Sequence, residues 1–127
     1  MEIYKLKYRN SIWLAFDKNI EFEIKRLKSG KISAKYTKRG EPDVKVAIGG
    51  ADATTLDNKL IALEIDKWKN EYEPPYPILD GEEWDMEIEF VDGSKKSIHG
   101  SNGYPKCWKR FLSTIEWVKE IAKKEGK

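Results

Sequence analysis

The sequence has a single cysteine, Cys107, and a single histidine, His99, among its 127 residues. One cysteine excludes an internal disulfide and a thiolate metal cluster, and one histidine excludes a histidine-rich metal site. Long apolar runs are missing too, so we expect no membrane-spanning helix, and the N-terminal residues lack the apolar core of a secretory signal. We therefore expect a cytoplasmic protein with no metal and no other cofactor.

Hydrophobic residues are scarce, at 39%, and charged residues are abundant, at 36%. Disorder is nevertheless not expected, because disordered chains are poor in aromatic residues and this chain has five Trp, six Tyr and four Phe. A chain of 127 residues also has the usual length of one domain. We predict a single domain over residues 1–127 with one hydrophobic core.

The net charge of +2 conceals a division of the chain into three blocks. Residues 1–46 carry a net charge of +6, residues 47–93 carry −10, and residues 94–127 carry +6. Such blocks indicate either a molecule with a basic face or oppositely charged segments that pack as neighbours. The acidic block disfavours a nucleic-acid partner, because it would have to be kept away from the phosphates.

Alternation of apolar and polar residues predicts β-strands in much of the chain. The clearest alternation precedes Asp92-Gly93, a dipeptide typical of hairpin turns, and another pair of strands flanks Ser29-Gly30. The predicted strands cover residues 3–9, 12–16, 20–25, 32–37, 44–48, 84–90 and 95–99, with the first two joined at Asn10-Ser11.

Two helices are predicted from apolar residues at helical spacing. The first would begin at a capping box over residues 54–57 and continue along a face that includes Ile61, Ile65 and Tyr72. The second would begin near Pro105, a residue that suits the first turn of a helix.

This order of strands, helix, hairpin and helix predicts an α+β fold with a mostly antiparallel sheet. Both long helices would pack on one face of that sheet and leave the other face in contact with water. The wet face is expected to carry charged side chains that meet across strands. Those side chains are Glu21, Glu23, Lys25, Lys35, Asp85, Glu87 and Glu89.

A glycine-rich loop runs into the start of the last helix between residues 99 and 110. Free backbone N–H groups and the helix dipole at such a start favour an anion. The candidate ligand-binding residues are His99, Asn102, Lys106 and Arg110. The loop has neither a Walker A motif nor a dinucleotide-binding fingerprint, so a tight structural connection is the alternative interpretation.

No combination of residues predicts a catalytic site, and no catalytic residue is assigned. His99 could act as a lone general base oriented by Asp80, Asp92 or another carboxylate, but a lone histidine at a strand end is more often structural. Cys107 could be a reactive thiol, because cations and a helix start lower a thiol pKa, with a buried inert cysteine as the alternative.

Trp117 lies well away from the apolar face of the last helix, and Ile121 follows it one turn later. Either this helix is covered on two sides, or both residues belong to an exposed apolar patch. Such patches often mark a partner or dimer surface, and Trp13 is a further candidate for this interaction surface.

The second half of the chain combines motifs that are unusual together. They are Trp68-x3-Tyr72, Asp80-Gly81-x2-Trp84, Asp92-Gly93 and Gly100-Ser-Asn-Gly-Tyr104-Pro105. This pattern, over residues 68–105, resembles a family of small uncharacterised bacterial α+β domains. The resemblance implies a bacterial cytoplasmic protein with this fold, and it implies no activity, cofactor or catalytic residue.

The sequence leaves three functions open. A non-catalytic binding or interaction domain, able to form a homodimer or to bind a protein partner, is favoured by the charge segregation and the surplus Trp. The alternative is an enzyme or binding protein for a small anionic ligand at residues 99–110. A nucleic-acid binder that uses the two basic blocks is a second alternative, and no membrane partner is expected.

Overall fold

The computed structural model describes residues 2–12, 15, 18–74 and 81–125. Within them no helix is both long and apolar enough to span a membrane. The elements are, in chain order, β1 (Ile3–Ile12), β2 (Ile20–Arg26), β3 (Ile32–Lys38), β4 (Val44–Ile48), α1 (Gly50–Leu63), a short 3-10 helix (Ile65–Lys67), β5 (Glu71–Tyr72), β6 (Glu82–Phe90), β7 (Lys95–Ser101) and α2 (Trp108–Glu125).

The seven strands form one sheet with the order β4-β3-β2-β1-β6-β7-β5. Neighbouring strands are antiparallel except for the two-residue β5, which runs parallel to β7. The predicted α+β fold with a mostly antiparallel sheet is confirmed. The predicted order of elements needs a correction, because β5 lies between the first long helix and the last hairpin.

One face of the sheet is apolar, because each long strand points alternate apolar side chains toward it. Leu6 of β1 lies opposite Ile24 of β2 and Ile88 of β6, and all three are at most 2% exposed. Leu56 of α1 and Phe111 of α2 join the same buried cluster, so both helices cover this face. The side chains on the other face are half-buried or exposed.

Aromatic side chains fill the core where α2 meets the centre of the sheet. Trp84 is fully buried, and its ring lies 4.4 Å from the ring of Trp108. Its indole N–H donates a hydrogen bond to the Gly103 carbonyl at 2.9 Å. A Cβ on Gly100 would come within 2.0 Å of the Trp84 Nε1, so only glycine fits at that position. Aromatic bulk thus offsets the modest apolar content of the chain.

The predicted bounds of the first helix are wrong at both ends. α1 begins four residues before the predicted capping box, and no side chain caps it. It ends at Leu63, because Glu64 takes a left-handed conformation with φ 51° and ψ 46°. The indole N–H of Trp68 donates to the Leu63 carbonyl, which secures this end. As a result, Ile61 is 59% exposed, and Tyr72 lies in β5 instead of on the helix.

β1 is one continuous strand, whereas the sequence predicted two strands joined at Asn10-Ser11. Asn10 keeps its register opposite Trp84, and its side chain bridges neighbouring strands. The Asn10 amide donates to Glu82 at 2.6 Å and its carbonyl oxygen accepts from the backbone N–H of Ile20 at 2.7 Å. The second predicted strand, 12–16, falls largely outside the described residues.

Candidate interaction surface

The side of the sheet opposite the helices is the open face. Strand alternation and register place there the seven charged residues predicted for the wet side of the sheet, together with eight others. Its charged and titratable side chains are Lys5, Lys7, Arg9, Glu21, Glu23, Lys25, Lys35, Lys45, Glu71, Glu83, Asp85, Glu87, Glu89, Lys95 and His99.

Opposite charges alternate across the strands in the row that contains Arg9. Reading from β2 to β5, the row is Glu21, Arg9, Asp85, His99 and Glu71. The Arg9 Nε lies 3.7 Å from an Asp85 carboxylate oxygen. Cross-strand pairs of opposite charge stabilise a sheet, so this row supports the fold while leaving its charges on the surface.

The neighbouring row contains Lys7. Lys35 of β3 lies opposite Glu23 of β2, Glu23 lies opposite Lys7, and Lys7 lies opposite Glu87 of β6. The row continues to Ser97 of β7. Among the described residues, no ion pair within 4 Å joins Lys7 or Glu87 to another side chain. These two charges are therefore available to a partner.

The charges of the open face are also divided between its two halves. The basic half, formed by β1 to β4, has six Lys or Arg side chains against two Glu. The acidic half, formed by β5 to β7, has five Asp or Glu side chains against Lys95 and His99. The boundary between the halves runs between β1 and β6. The predicted packing of oppositely charged blocks as neighbours thus occurs within one sheet.

His99 is surrounded by carboxylates on the acidic half. Its Nδ1 lies 2.9 Å from an Asp85 oxygen, and its Nε2 lies 3.9 Å from a Glu83 oxygen. The hydrogen bond with Asp85 raises the pKa of His99, burial lowers it in part, and the charges of Asp85, Glu83 and Glu71 raise it further. The ring is therefore held toward its protonated form, which continues the alternation of charge along the Arg9 row.

Three depressions lie along the open face, with volumes of about 560, 420 and 120 Å³. The largest is bordered by Arg9, Asp85, His99 and Glu71, and the second lies between Lys5 and the acidic half. The side chains of Arg9, Asp85 and His99 are 64%, 45% and 41% exposed. A small molecule in such a depression would stay in contact with water, whereas small-molecule sites enclose most of their ligand.

The four residues predicted to bind an anion do not converge. His99 points to the open face, because its neighbours Ile98 and Gly100 are buried on the helix side of the sheet. Arg110 is exposed on α2, on the helix side of the sheet, and Lys106 is exposed in the turn that precedes α2. His99 therefore lies on the opposite side of the sheet from Arg110 and the start of α2.

Asn102 has a structural role in this loop. Its side-chain oxygen accepts a hydrogen bond from the Glu82 backbone N–H at 2.9 Å. A Cβ on Gly81 would come within 1.9 Å of the same oxygen. The carboxamide thus fills the space beside Gly81 and ties the loop after β7 to the start of β6. This role agrees with the alternative interpretation of residues 99–110 as a tight structural connection.

Among the described residues, Trp117 and Ile121 do not form the exposed apolar patch that the sequence suggested as an interaction surface. Ile121 is 7% exposed and belongs to the core. Trp117 is half-buried against that core, and the Lys59 ammonium of α1 lies 5.5 Å from the centroid of its ring. α2 is therefore covered on two sides, by the sheet and by α1. Trp13 lies outside the described residues, as does Asp80.

Cys107 packs between the helices and is not grouped with acidic side chains among the described residues. The Cys107 thiol is half-buried and donates to the Leu63 carbonyl at 3.5 Å, which places it at the junction of the two helices. In the part of the chain that the structure describes, no three His, Cys, Asp or Glu side chains converge as metal ligands would.

Sequence reasoning missed the cations that β1 contributes to the open face. Lys5, Lys7 and Arg9 alternate with the buried Leu6 and Tyr8, so a period of two was the available signal. These cations border the acidic half because β1 lies between β2 and β6. The alternation within one strand does not indicate which strands are its neighbours.

No known protein-family model matches the chain, and a search of curated proteins finds no significant match. The resemblance of residues 68–105 to a family of small bacterial domains therefore stays a prediction. The geometry of the open face carries the functional argument.

Proposed function

We propose that this protein is a non-catalytic binding domain and that the open face of the sheet is its binding surface. The observation that carries the proposal is the segregation of charge on that face, with a basic half and an acidic half that meet between β1 and β6. Complementary charge directs association and selects a partner, because a partner with the wrong arrangement meets like charges.

The shape of the face favours a large partner over a small one. Its depressions are bordered by side chains that stay about half exposed, as in the case of Asp85 and His99. A flat partner can contact several strands at once and so gather many weak contacts. The side chain of His99 is engaged by Asp85, a contact that orders the surface.

A nucleic acid fits this surface less well. The cations of β1 to β4 lie on the open face, whereas the exposed Lys and Arg side chains of α2 lie on the helix side. The two basic blocks of the sequence therefore do not form one basic surface, and phosphates on the open face would meet the acidic half.

Site-specific photo-crosslinking tests the proposal. One variant carries p-benzoylphenylalanine in place of Ser97 on the open face, and a matched control carries it in place of Ser113 on α2, since both serines are exposed. Each variant is produced in the native host and irradiated in the cell lysate at low salt and at about 0.5 M salt, where surface charges are screened over a few ångströms.

The proposal predicts discrete adducts from position 97 that weaken in high salt, and no equivalent adducts from position 113. The absence of adducts from position 97, or the same adducts from both positions, would show that the open face is not the binding surface.

A further inference from the structure

We infer that the partner of the open face is a second copy of this chain. The inference rests on the proposed function, because it names the occupant of the same surface. Its basis is that the two halves of the open face are complementary to each other: one copy offers both the basic surface and the acidic surface that fits it. Two-fold symmetric pairs, in which the same surface is used twice, are the commonest oligomers of soluble proteins.

The charge division selects one orientation of the symmetry axis. Consider a two-fold axis that lies between two facing sheets and runs parallel to their strands. Rotation about it exchanges the two sides of the sheet, so the basic half of each copy faces the acidic half of the other. An axis in the same plane but perpendicular to the strands would place like halves together. Like charges in opposition are unfavourable, so the parallel axis is the one we propose.

The axis would pass along the boundary between β1 and β6, where the register is known residue by residue. Lys5 lies opposite Glu89, Lys7 opposite Glu87 and Arg9 opposite Asp85 within one chain. Rotation about the boundary places each cation over the carboxylate of the same pair in the second copy. Every pair thereby becomes a group of four charges that alternate in sign.

Farther from the axis the rule holds for one pair of charges, fails for another, and leaves Glu23 facing the uncharged Ser97. Glu21 of β2 and His99 of β7 belong to one row, so Glu21 would face His99 of the second copy. Lys25 and Lys95 share another row and would meet as like charges near the margin. Aligned sheets pack at an angle of about 30°, which displaces marginal positions more than the central pairs.

The part of the open face that the two copies share fits a weak dimer. About this axis β1 faces β6, β2 faces β7 and β3 faces only the two-residue β5, while β4 has no counterpart. At about 4.8 Å between strands and about 3.3 Å per residue, these strands give roughly 600 Å² on each copy, below the roughly 800 Å² of a standard interface. Facing sheets lie about 10 Å apart, a distance that Lys, Arg and Glu side chains can span from both sides.

Partners of a single charge fit worse than a second copy. An acidic ligand is attracted by the basic half and repelled by the five carboxylates of the acidic half, and a basic ligand meets the reverse. In a single copy the charges of the open face remain hydrated, so the face does not need a partner to avoid exposing apolar surface. The dimer is also sensitive to salt, because its contacts are between surface charges.

Sedimentation equilibrium with charge-reversed variants tests the inference. The acidic variant carries Lys5→Glu and Lys7→Glu, and the basic variant carries Glu87→Lys and Glu89→Lys. The control variant carries Lys109→Glu and Lys123→Glu on α2, where both lysines are exposed, and it changes the net charge as much as the acidic variant does. Circular dichroism and thermal melting establish that each variant is folded.

The wild-type chain and the control are expected to be dimers at low salt and to dissociate at about 0.5 M salt. Each open-face variant alone should have a dimer dissociation constant raised by about 100-fold, because several facing pairs become like-charged. An equimolar mixture of the acidic and basic variants should form a heterodimer, since every reversed cation then faces a reversed carboxylate. The milder variant with Lys5→Gln and Lys7→Gln should weaken the dimer without repulsion.

Three results would overturn the inference: a monomeric wild-type chain at low salt, a dimer unaffected by the open-face variants, or folded variants that do not associate when mixed. If the wild-type chain is monomeric but position 97 crosslinks to a different protein, the inferred self-association is wrong and the proposed function is supported. If the chain is monomeric and position 97 gives no crosslinks, both the inferred self-association and the proposed function are wrong.

Discussion

The Arg26 guanidinium of β2 makes two hydrogen bonds to the Asp57 carboxylate of α1, at 2.7 and 3.3 Å. The two side chains are only 23% and 26% exposed. The same guanidinium donates to the Ile3 carbonyl at 3.3 Å, so it joins α1, β2 and the start of β1. The hydrogen bond with Asp57 also raises the pKa of Arg26. This pair fixes the position of α1 over the apolar face, whereas the sequence predicts a helix-capping box that includes Asp57.

We expect Asp57→Asn to lower the free energy of unfolding by about 2 kcal/mol, because a largely buried guanidinium loses its hydrogen-bonded carboxylate and keeps only the Glu2 carboxylate at 3.8 Å. Urea denaturation measures the loss. The matched control is Asp43→Asn, which removes an exposed ion pair with Lys35 at 3.7 Å and should cost less than about 1 kcal/mol. Equal losses from the two substitutions would contradict the structural role given to Arg26.

Gly100→Ala should destabilise the fold by about 3 kcal/mol, since its Cβ would overlap the buried indole of Trp84. Gly49→Ala is the control: there the nearest atoms belong to the flexible Lys31 side chain, so the loss should stay below about 1 kcal/mol. Thermal melting compares the two variants. A Gly100 variant as stable as the Gly49 variant would show that Trp84 is not packed against β7.

A pair of isoleucine substitutions tests where α1 ends. Ile65→Ala should cost about 3 kcal/mol because Ile65 is 2% exposed, whereas Ile61→Ala should change stability by no more than about 0.5 kcal/mol because Ile61 is 59% exposed. A single helix extending to Tyr72 would bury both isoleucines on one face. Comparable losses from both substitutions would therefore support that longer helix.

The pKa of His99 should lie above the ordinary value of about 6.5, and Asp85→Asn should lower it. NMR titration of the single histidine measures both values directly. Because the folded pKa is raised, the stabilisation by His99 is fully present below the unfolded pKa and is lost as pH rises through the folded pKa. An unshifted His99 titration in the wild-type chain would contradict the observed hydrogen bond.

The size of that pH effect is limited by exposure. The His99 and Asp85 side chains are 41% and 45% exposed, so solvent screens the pair and its contribution should be below about 1 kcal/mol. The difference in unfolding free energy between the wild-type chain and His99→Gln should shrink from about pH 5.5 to about pH 8.5. A difference that grows over this range would reverse the predicted sign.

Most strands could be predicted from the sequence because their alternation is local. Phe22 and Ile24 are buried between exposed or half-buried neighbours, and the turn at Asp92-Gly93 joins β6 to β7 as expected. The helix bounds could not be predicted in the same way. The spacing from Ile61 to Tyr72 fits a helix, but the left-handed Glu64 and the bond from Trp68 to the Leu63 carbonyl end it.

The candidate site was predictable only as a list of charged residues on a wet face. Their arrangement depends on β1, which lies between β2 and β6, and the pairing of Lys7 with Glu87 joins residues that are far apart in the sequence. No local pattern specifies such a pairing, because it is set by the packing of the whole sheet on two helices. The same packing turns His99 away from Lys106 and Arg110.

The sequence by itself determined the fold class, the strands with clear alternation and the charge of the wet face, since each depends on the period of neighbouring side chains. It also determined the scarcity of cysteine and histidine that limits the available chemistry. Only the tertiary structure decided which strands are neighbours. That choice places the cations of β1 to β4 beside the carboxylates of β5 and β6 on one surface, because the order of strands in a sheet arises from contacts between distant residues.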